Sequence, residues 1–396
     1  MTTETPGHQA EDYARQLAGD LGVRDFVYQP AVVKKGSGLR EISDGLLVAG
    51  GDGLILQVKS RDPEAAKRDS VQKAQSWCAK TAADAVRQAD GTRRSICDGH
   101  VQVRSLRGFE RLLPNASTWP AVIIVGHPSN PQVALPAEPK TLYISLHDWR
   151  NLHRWLRSTS QVISYVRRAI DSRVEVDLGC EQDRYRALAA ADLRAPGSLT
   201  SLPVLPPYPI DGAEARDAAL FEDLIERLAD PEGATGWHAQ QYLRIVEELD
   251  RVPAIVRVHL GAKMRQTYLE MCASRSRRSF VALGPSGRGT RLAFLYEYDA
   301  DDRPAGDWFM AQVAAYGTLR HENALAAGAE PSSATVAIGV LHHRDHGRRY
   351  VFFYNAGADI RLPDDLRRQM EAEFGVLNAT DRSEVAQQAA RIIDLE

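Results

Sequence analysis

Three polar residues of complementary chemistry stand close together in the first sixth of the chain: Asp44, Gln57 and Lys59. They supply a carboxylate, an amide and an ammonium group. Hydrolysis of a phosphodiester bond needs a metal ion that stabilises developing charge, oxygen ligands that hold this ion, and a group that activates water. Carboxylate and amide oxygens suit a hard cation such as Mg²⁺, and a lysine can orient or deprotonate the water. These residue types therefore predict a metal-dependent site that cleaves phosphodiester bonds.

The three residues belong to a stretch, residues 41–59, that reads as two apolar strands joined by the turn residues 50–53, Gly-Gly-Asp-Gly. Such a turn is a strong hairpin signal. A hairpin that closes symmetrically about all four turn residues brings Asp44 opposite Lys59. Because side chains alternate between the faces of a strand, we expect Asp44, Gln57 and Lys59 on one face, at one end of the hairpin.

The string Asp44-(12 residues)-Gln57-Val58-Lys59 resembles the active-site signature of the PD-(D/E)xK nuclease superfamily. The second acidic position is Gln here, as in the Mrr-type restriction-endonuclease branch. The resemblance covers roughly residues 9–170 and implies an α/β restriction-endonuclease-like core with the element order αβββαβ. It also implies an endonuclease that hydrolyses nucleic acid with Mg²⁺, for which Mn²⁺ can substitute, and a role in bacterial defence against foreign DNA.

The resemblance assigns roles to individual residues. Asp44 is expected to be the principal metal ligand, joined by the side-chain oxygen of Gln57 and the carbonyl oxygen of Val58. Glu11 is expected to add a carboxylate from the first helix. Glu41 is a poorer candidate, because its distance of three residues from Asp44 places it on the other strand face unless a bulge intervenes.

The elements that must position these residues follow from hydrophobic periodicity. Residues 9–21 predict a helix, and residues 26–33 predict a strand that Pro30 confines to an edge or a bulge. After the hairpin, the pattern predicts a helix over 62–88, strands at 100–104, 121–126 and 141–146, and helices at 147–157 and 160–171. This order matches the αβββαβ core that the resemblance implies.

The second half of the chain predicts a separate α+β domain. Residues 195–212 are rich in Pro, Gly, Ser and Leu, which is typical of a semi-rigid linker. Beyond them we expect helices at 214–228, 237–249, 255–273 and 307–326, strands at 279–284, 291–298, 335–341 and 349–354, and two closing helices. The expected organisation is a nuclease-like domain at 1–172, a linker or arm at 173–212, and a domain at 213–396 for recognition, regulation, self-association or a protein partner.

Charge is distributed unequally between these parts. Residues 1–170 carry 23 Lys and Arg against 17 Asp and Glu, a balance of +6, whereas the remainder carries 26 against 35, a balance of −9. A basic N-terminal part suits a polyanionic partner, and the resemblance implies double-stranded DNA. The expected basic contacts are Lys34, Lys35, Arg40, Arg93 and Arg94.

Composition is that of an ordinary soluble globular protein, with 44% hydrophobic and 26% charged residues. No apolar run approaches the roughly 20 residues that span a bilayer, and the first residues lack the pattern of a signal peptide. The four cysteines have neither zinc-ligand nor disulfide spacing. We therefore expect a cytoplasmic protein without membrane association.

Other interpretations remain open at this stage. Residues 284–289 lack the Gly-Lys-Ser/Thr end of a phosphate-binding loop, so they predict a hairpin turn. His342, His343 and His346 could bind a metal together with Asp345, although a solvated turn between two strands is the better explanation. The nuclease-like motif has one carboxylate fewer than usual. The alternative function is therefore a catalytically inactive nucleic-acid-binding or scaffold subunit of a larger defence or repair complex.

Overall fold

The computed structural model describes most of the chain with several gaps. The described residues are 5–29, 32–35, 38–98, 101–113, 119–172, 174–194, 202, 204–207, 210–228, 237–283, 290–299, 307–329, 333–343, 347–356 and 361–374. Of residues 32–35, 38–40, 237–240, 283, 307 and 347 only the backbone is described. The chain divides into two compact units, Met1–Tyr208 and Pro209–Glu396, here called the N-terminal and the C-terminal unit.

The N-terminal unit is a mixed α/β structure. Its helices are α1 (Pro6–Leu21), α2 (Pro63–Ala66), α3 (Val71–Asp98), α4 (Leu146–Leu156), α5 (Thr159–Asp171) and α6 (Glu181–Arg194). Its strands are β1 (Val27–Tyr28), β2 (Val32–Lys35), β3 (Gly38–Glu41), β4 (Gly45–Ala49), β5 (Asp52–Ser60), β6 (Gln102–Arg104), β7 (Glu110–Leu112), β8 (Ala121–Gly126) and β9 (Thr141–Ser145). The predicted helices of this half are thus present, with the long helix after the hairpin interrupted between α2 and α3. The strand predicted at 26–33 is divided between β1 and β2, which belong to different sheets.

Five strands form the central sheet, in the order β1-β4-β5-β8-β9. The pairs β1–β4 and β4–β5 are antiparallel, and the pairs β5–β8 and β8–β9 are parallel. The edge position of β1 agrees with the prediction from Pro30. Two short antiparallel pairs, β2–β3 and β6–β7, lie outside this sheet.

The sheet is covered on both faces, which explains the continuous apolar character of β8. On one face, α3 packs with Cys78, Ala82 and Ala85 against a core that includes Ile55 and Ile123. On the other face, α1 passes close to β4, since a side chain at Gly45 would lie 3.1 Å from Arg15. Helix α4 is tied to α1 by a 3.2 Å hydrogen bond from the indole N–H of Trp149 to the carbonyl of Ala14.

The N-terminal unit extends beyond the predicted boundary at residue 172. Segment 173–212, expected to be a linker, contains α6, which is joined to α5 by buried polar contacts. The hydroxyl of Tyr165 donates to Glu181 at 2.6 Å, and the guanidinium of Arg168 pairs with Asp192. The boundary was placed too early because only residues 195–212 have linker composition, and the pairing partners of α6 lie 16 and 24 residues away.

The C-terminal unit is also mixed. It contains α7 (Gly212–Leu228), α8 (Trp237–Asp250), α9 (Ala254–Ser274), β10 (Arg278–Leu283), β11 (Arg291–Asp299), α10 (Asp307–Ala326), β12 (Ala334–His343), β13 (Gly347–Ala356) and α11 (Asp364–Phe374). The sheet order is β10-β11-β12-β13, with β11 and β12 parallel and the outer pairs antiparallel. Helices α10 and α11 cover one face, where Phe309, Tyr316 and Met370 are buried.

The predicted elements of this half are present as far as the structure describes them. The second closing helix, the turn at 284–289 and residues Asp345 and His346 lie outside the described residues. His342 and His343 belong to β12 and not to a loop. Among the described helices, none is long and apolar enough to cross a membrane.

Candidate active site at the β4–β5 hairpin

The hairpin closes more tightly than the sequence predicts. Ala49 pairs with Asp52 and Gly45 pairs with Leu56, so the turn consists of Gly50 and Gly51 alone, with Gly50 at a φ of 61°. A two-residue turn with positive φ matches the twist of the flanking strands. The predicted register was therefore wrong by two residues: regular continuation of the observed pairing would bring Gln57, not Lys59, opposite Asp44. Because the error is even, the prediction that Gln57 and Lys59 share one face of β5 is unaffected.

Asp44 lies at a local irregularity just before β4. Its N–H donates to the carbonyl of Leu56 at 3.2 Å, although Leu56 is already the strand partner of Gly45. Two residues on one strand thus face a single residue on the other, which is the geometry of a β-bulge. A bulge redirects the side chain at its position, so Asp44 need not obey the alternation of β4.

The carboxylate of Asp44 accepts the hydrogen bond that the N–H of Val58 would otherwise donate to a backbone carbonyl of β4. Its Oδ2 accepts a 2.6 Å hydrogen bond from the N–H of Val58 and lies 3.6 Å from Nζ of Lys59. Oδ1 accepts no hydrogen bond from any described residue, so it is available to another partner. The side chains of Asp44 and Lys59 are 18% and 23% exposed, which places both at a solvent-accessible rim.

The other two expected ligands, Gln57 and Val58, belong to β5, and Val58 contacts the carboxylate through its N–H. In a β-strand the N–H and C=O of one residue point to the same side, so the carbonyl of Val58 points toward the edge where Asp44 lies. Gln57 is on the same face of β5 as Lys59 and is only 2% exposed. Its amide therefore lies among buried side chains of β5, beside Ile123 of β8, while Asp44 and Lys59 form the solvent-accessible rim.

Glu11 approaches the site from α1. Its side chain is 18% exposed and lies 3.3 Å from Nδ1 of His8. Partial burial raises the pKa of Glu11, and the negative charge of Asp44 raises it further. Two carboxylates that repel each other in this way favour a shared cation. Arg15 limits the repulsion only partly, because its guanidinium donates to the Asp44 carbonyl and to Asp12.

This donor set is compatible with a hard divalent cation and has few charged members. It comprises the carboxylates of Asp44 and Glu11, the amide oxygen of Gln57 and the carbonyl oxygen of Val58, all of them oxygen ligands. Within the described part of the chain, no group of three or more His, Cys, Asp or Glu side chains is arranged to hold a metal ion. Any ion here would therefore need the two neutral oxygens or water. Glu41, at the end of β3, is exposed and belongs to the separate β2–β3 pair.

Of the five basic residues predicted to bind nucleic acid, the structure describes the side chains of Arg93 and Arg94. Lys34 and Lys35 lie in β2 and Arg40 in β3, and their side chains are outside the described part. Arg94 is exposed near the end of α3. Arg93 is 15% exposed and donates to the carbonyls of Trp119 and Lys140 at 2.7 and 2.8 Å. These contacts join α3 to the starts of β8 and β9, so the structure gives Arg93 a role in holding the fold together.

A cleft of about 460 Å³ opens at the carboxyl ends of β5, β8 and β9. Ser60 lines it and directly follows Lys59 in the chain. Its polar lining includes Tyr13, Arg61, His127, His147 and Arg150, and no carboxylate among the described residues contributes to it. In open α/β sheets the carboxyl ends of the parallel strands are the usual location of ligands.

Asp69 organises one wall of this cleft, and the sequence analysis missed it. The carboxylate is 1% exposed and accepts hydrogen bonds from Arg61 at 3.0 Å and from Lys73 at 2.9 Å. Nε2 of His127 lies 3.4 Å away. The hydrogen bonds from Lys73 and Arg61 hold the pKa of Asp69 far below its usual range. No spacing in the sequence signals this cluster, because its members come from the ends of β5 and β8 and the start of α3.

The chain matches no protein-family model, no curated protein and no solved structure. Interpretation of the hairpin site therefore depends on the residues and contacts described above.

Proposed function

We propose that the N-terminal unit is a metal-dependent endonuclease of the PD-(D/E)xK, restriction-endonuclease-like type, acting on double-stranded DNA. The observation that supports the proposal is that several polar groups lie around the carboxylate of Asp44. Asp44 Oδ2 lies within 2.6 Å of the Val58 N–H and 3.6 Å of Lys59 Nζ, with Glu11 close enough to respond to its charge. These are the groups that the Asp44…Gln57-Val58-Lys59 motif requires.

Each residue has a defined part in the proposed reaction. Asp44 and Glu11 bind the cation, with the oxygens of Gln57 and Val58 as neutral ligands. When bound, Mg²⁺ supplies positive charge that stabilises the phosphate as negative charge develops on it. Lys59 orients the attacking water or accepts its proton, and its ammonium form stabilises the charged phosphate. The 2.6 Å hydrogen bond from Val58 fixes the carboxylate of Asp44 and reduces the reorganisation needed for the reaction.

The cleft beside Ser60 is the proposed path of the nucleic acid. It adjoins the Lys59 end of β5, and its described lining carries Arg61 and Arg150 without a carboxylate. Phosphate groups favour such a surface. Location in the cytoplasm and a role in defence against foreign DNA are parts of the same proposal.

A second candidate function is a catalytically inactive nucleic-acid-binding or scaffold subunit. The observation that favours it is Gln57, a neutral and buried residue at the position where the signature usually has an acid. Because the proposed ligand set contains only the carboxylates of Asp44 and Glu11, its affinity for a cation is expected to be lower than that of a three-carboxylate site.

Plasmid cleavage distinguishes the two candidates. Purified full-length protein is incubated with supercoiled DNA in Mg²⁺, in Mn²⁺ and in EDTA. Nicking or linearisation with either metal, abolished by EDTA, supports the endonuclease. Binding of DNA without cleavage in both metals supports the inactive subunit.

A further inference from the structure

A small pocket lies within the C-terminal unit, between its helices and its sheet. It has a volume of about 110 Å³ and is partly open to solvent. Leu220 of α7 and Met264 of α9 form one side, and Tyr296, Val340 and Tyr350 of three adjacent strands form the other. Two aromatic rings and three aliphatic side chains thus enclose a space suited to a planar, apolar group.

Tyr296 lines this pocket and carries a buried hydroxyl. Tyr296 is 1% exposed, and its buried hydroxyl has no hydrogen-bond partner in the described part of the structure. Burial raises the pKa of Tyr296 above its usual value, so the hydroxyl remains protonated and able to donate at neutral pH. Buried hydroxyls normally have a partner. An acceptor on a ligand would satisfy this one.

The mouth of the pocket carries a guanidinium over an aromatic ring. The Cζ atom of Arg348 lies 3.9 Å from the centre of the Tyr268 ring, and the Tyr268 hydroxyl is 2.7 Å from Nδ1 of His342. These two contacts hold the Tyr268 ring in one orientation. The wall of the pocket is therefore formed before any ligand arrives, which lowers the entropic cost of binding.

The charge at the mouth is positive. Arg265 also lines the pocket, but its guanidinium is bound by Asp217 at 2.8 and 3.1 Å. Arg348 makes no ion pair with any described carboxylate, and no Asp or Glu is among the described residues that line the pocket. The positive charge of Arg348 is thus available to an anionic ligand.

We propose that this pocket binds a small anion with one planar six-membered ring, of the pyrimidine mononucleotide class. The ring lies between Tyr296, Tyr350 and Met264, a ring carbonyl accepts from the Tyr296 hydroxyl, and the phosphate pairs with Arg348. Size limits the ligand to a single ring, since a cavity of about 150 Å³ accommodates one benzene molecule and this pocket is smaller. A pocket of about 110 Å³ that is open at its mouth therefore takes a single ring, and a fused purine is too large.

This site is independent of the proposed nuclease chemistry, because all the described residues that line it belong to the C-terminal unit. The same ligand chemistry has two sources, a free mononucleotide and an unpaired pyrimidine in a nucleic-acid strand. The Arg348–ring arrangement suits either one.

Calorimetric titration of the full-length protein tests the inference. The probe is uridine 5′-monophosphate, and we expect saturable binding with a dissociation constant between about 10 µM and 1 mM. Uridine, inorganic phosphate and adenosine 5′-monophosphate each lack one required feature, so each is expected to bind at least tenfold more weakly. A single-stranded oligouridylate of about eight nucleotides distinguishes the sources, since clearly tighter binding of the oligomer identifies a nucleic-acid strand.

Three variants and one control locate the site. Tyr296→Phe keeps the ring and removes the hydroxyl, and we expect about tenfold weaker binding. Arg348→Gln is expected to abolish the preference for the monophosphate over uridine, and Val340→Phe is expected to fill the pocket and abolish binding. Arg349→Gln is the matched control, because this exposed neighbour points to the opposite face of β13.

Thermal unfolding of each variant verifies that it is folded. The inference is overturned if uridine monophosphate shows no saturable binding up to about 5 mM, if folded Tyr296→Phe and Val340→Phe both bind as the parent does, or if Arg349→Gln weakens binding as much as Arg348→Gln.

Discussion

Nζ of Lys59 lies 3.6 Å from Oδ2 of Asp44, although the strand register leads from Gly45 and Leu56 to Gln57 as the residue opposite Asp44. The bulge before β4 accounts for this approach, because it leaves the Asp44 side chain at the sheet edge, where the Val58 N–H holds it. A lysine two positions further along β5 than Gln57 can then reach the same carboxylate. This contact links the hairpin geometry to the proposed chemistry, and the first predictions follow from it.

Asp44→Asn should abolish DNA cleavage while the protein remains folded. Asparagine can still accept the hydrogen bond from Val58, so the bulge is retained, but the charge that binds the cation is lost. We expect at least about a 100-fold fall in cleavage rate, measured with plasmid in Mg²⁺. Asp20→Asn is the matched control, an exposed α1 carboxylate in a surface pair with Arg24. Cleavage by Asp44→Asn at the parental rate would remove Asp44 from the site.

Lys59→Ala should slow the chemical step far more than it weakens DNA binding. The lysine acts on the water or on the phosphate in the transition state, so its loss lowers the single-turnover rate by about 100-fold or more. DNA affinity in Ca²⁺ or EDTA should change less than about threefold. Lys67→Ala, at a side chain that is 68% exposed, should leave both quantities unchanged. An equal loss in rate and affinity would indicate that Lys59 only binds the DNA.

Gln57→Glu should retain cleavage and make thermal stability depend on Mg²⁺. The residue is 2% exposed, and a third carboxylate beside Asp44 and Glu11 is destabilising unless a cation neutralises it. We expect Tm to fall by several degrees in EDTA and to recover in Mg²⁺, measured by calorimetry. Gln72→Glu, at an exposed position of α3, provides the control. A stable Gln57→Glu variant that does not respond to Mg²⁺ would exclude Gln57 from the ligand set.

Salt-sensitive DNA binding should reside in the N-terminal unit. The N-terminal unit ends at Tyr208 and not at residue 172, where the sequence placed the boundary. Fragments 1–208 and 209–396 are therefore compared with the full chain. Phosphate contacts release counterions, so the logarithm of the binding constant should fall linearly with the logarithm of salt concentration for the first fragment.

Arg150→Gln within the cleft should reduce that slope by about one. Arg93→Gln is instead expected to lower the unfolding free energy by about 1–3 kcal/mol, because it removes the links from α3 to β8 and β9. If only fragment 209–396 binds DNA in the salt series, the assignment of DNA binding to the N-terminal unit is wrong.

Because His153 is buried, we expect the unfolding free energy of the protein to decrease in acid. Burial lowers the pKa of His153 from 6.5 to about 3, and neither ring nitrogen has a hydrogen-bond partner in the described residues. Between these two pH values the unfolded chain binds more protons than the folded one, so the unfolding free energy decreases as pH falls below about 6.5. The loss is at most about 1.4 kcal/mol per pH unit.

Urea unfolding of the N-terminal unit between pH 7 and pH 4.5 measures this slope. His153→Phe should flatten it, whereas His147→Gln, at an exposed position on the same helix, should not. An unchanged slope in folded His153→Phe would assign the acid sensitivity to other groups.

Local features of the sequence determined much of the N-terminal unit. The apolar run Ala121–Gly126 defines β8, and period-two alternation places Gln57 and Lys59 on one face of β5. Glycines at 50 and 51 define the hairpin. These features depend on steric preferences of neighbouring residues, which a short window of sequence contains. The sequence alone also contains the motif from which we assign roles to Asp44, Gln57, Val58, Lys59 and Glu11.

Only the tertiary structure decided how those residues meet. Gly53 joins β5, where its lack of a side chain accommodates the ring of Trp119, and this long-range contact accompanies the two-residue shift in register. The bulge at Asp44, the shielding of Asp69 by Arg61 and Lys73, and the binding of Arg93 to the carbonyls of Trp119 and Lys140 likewise join distant segments. Such contacts depend on how helices and strands pack in three dimensions, and no local spacing encodes them.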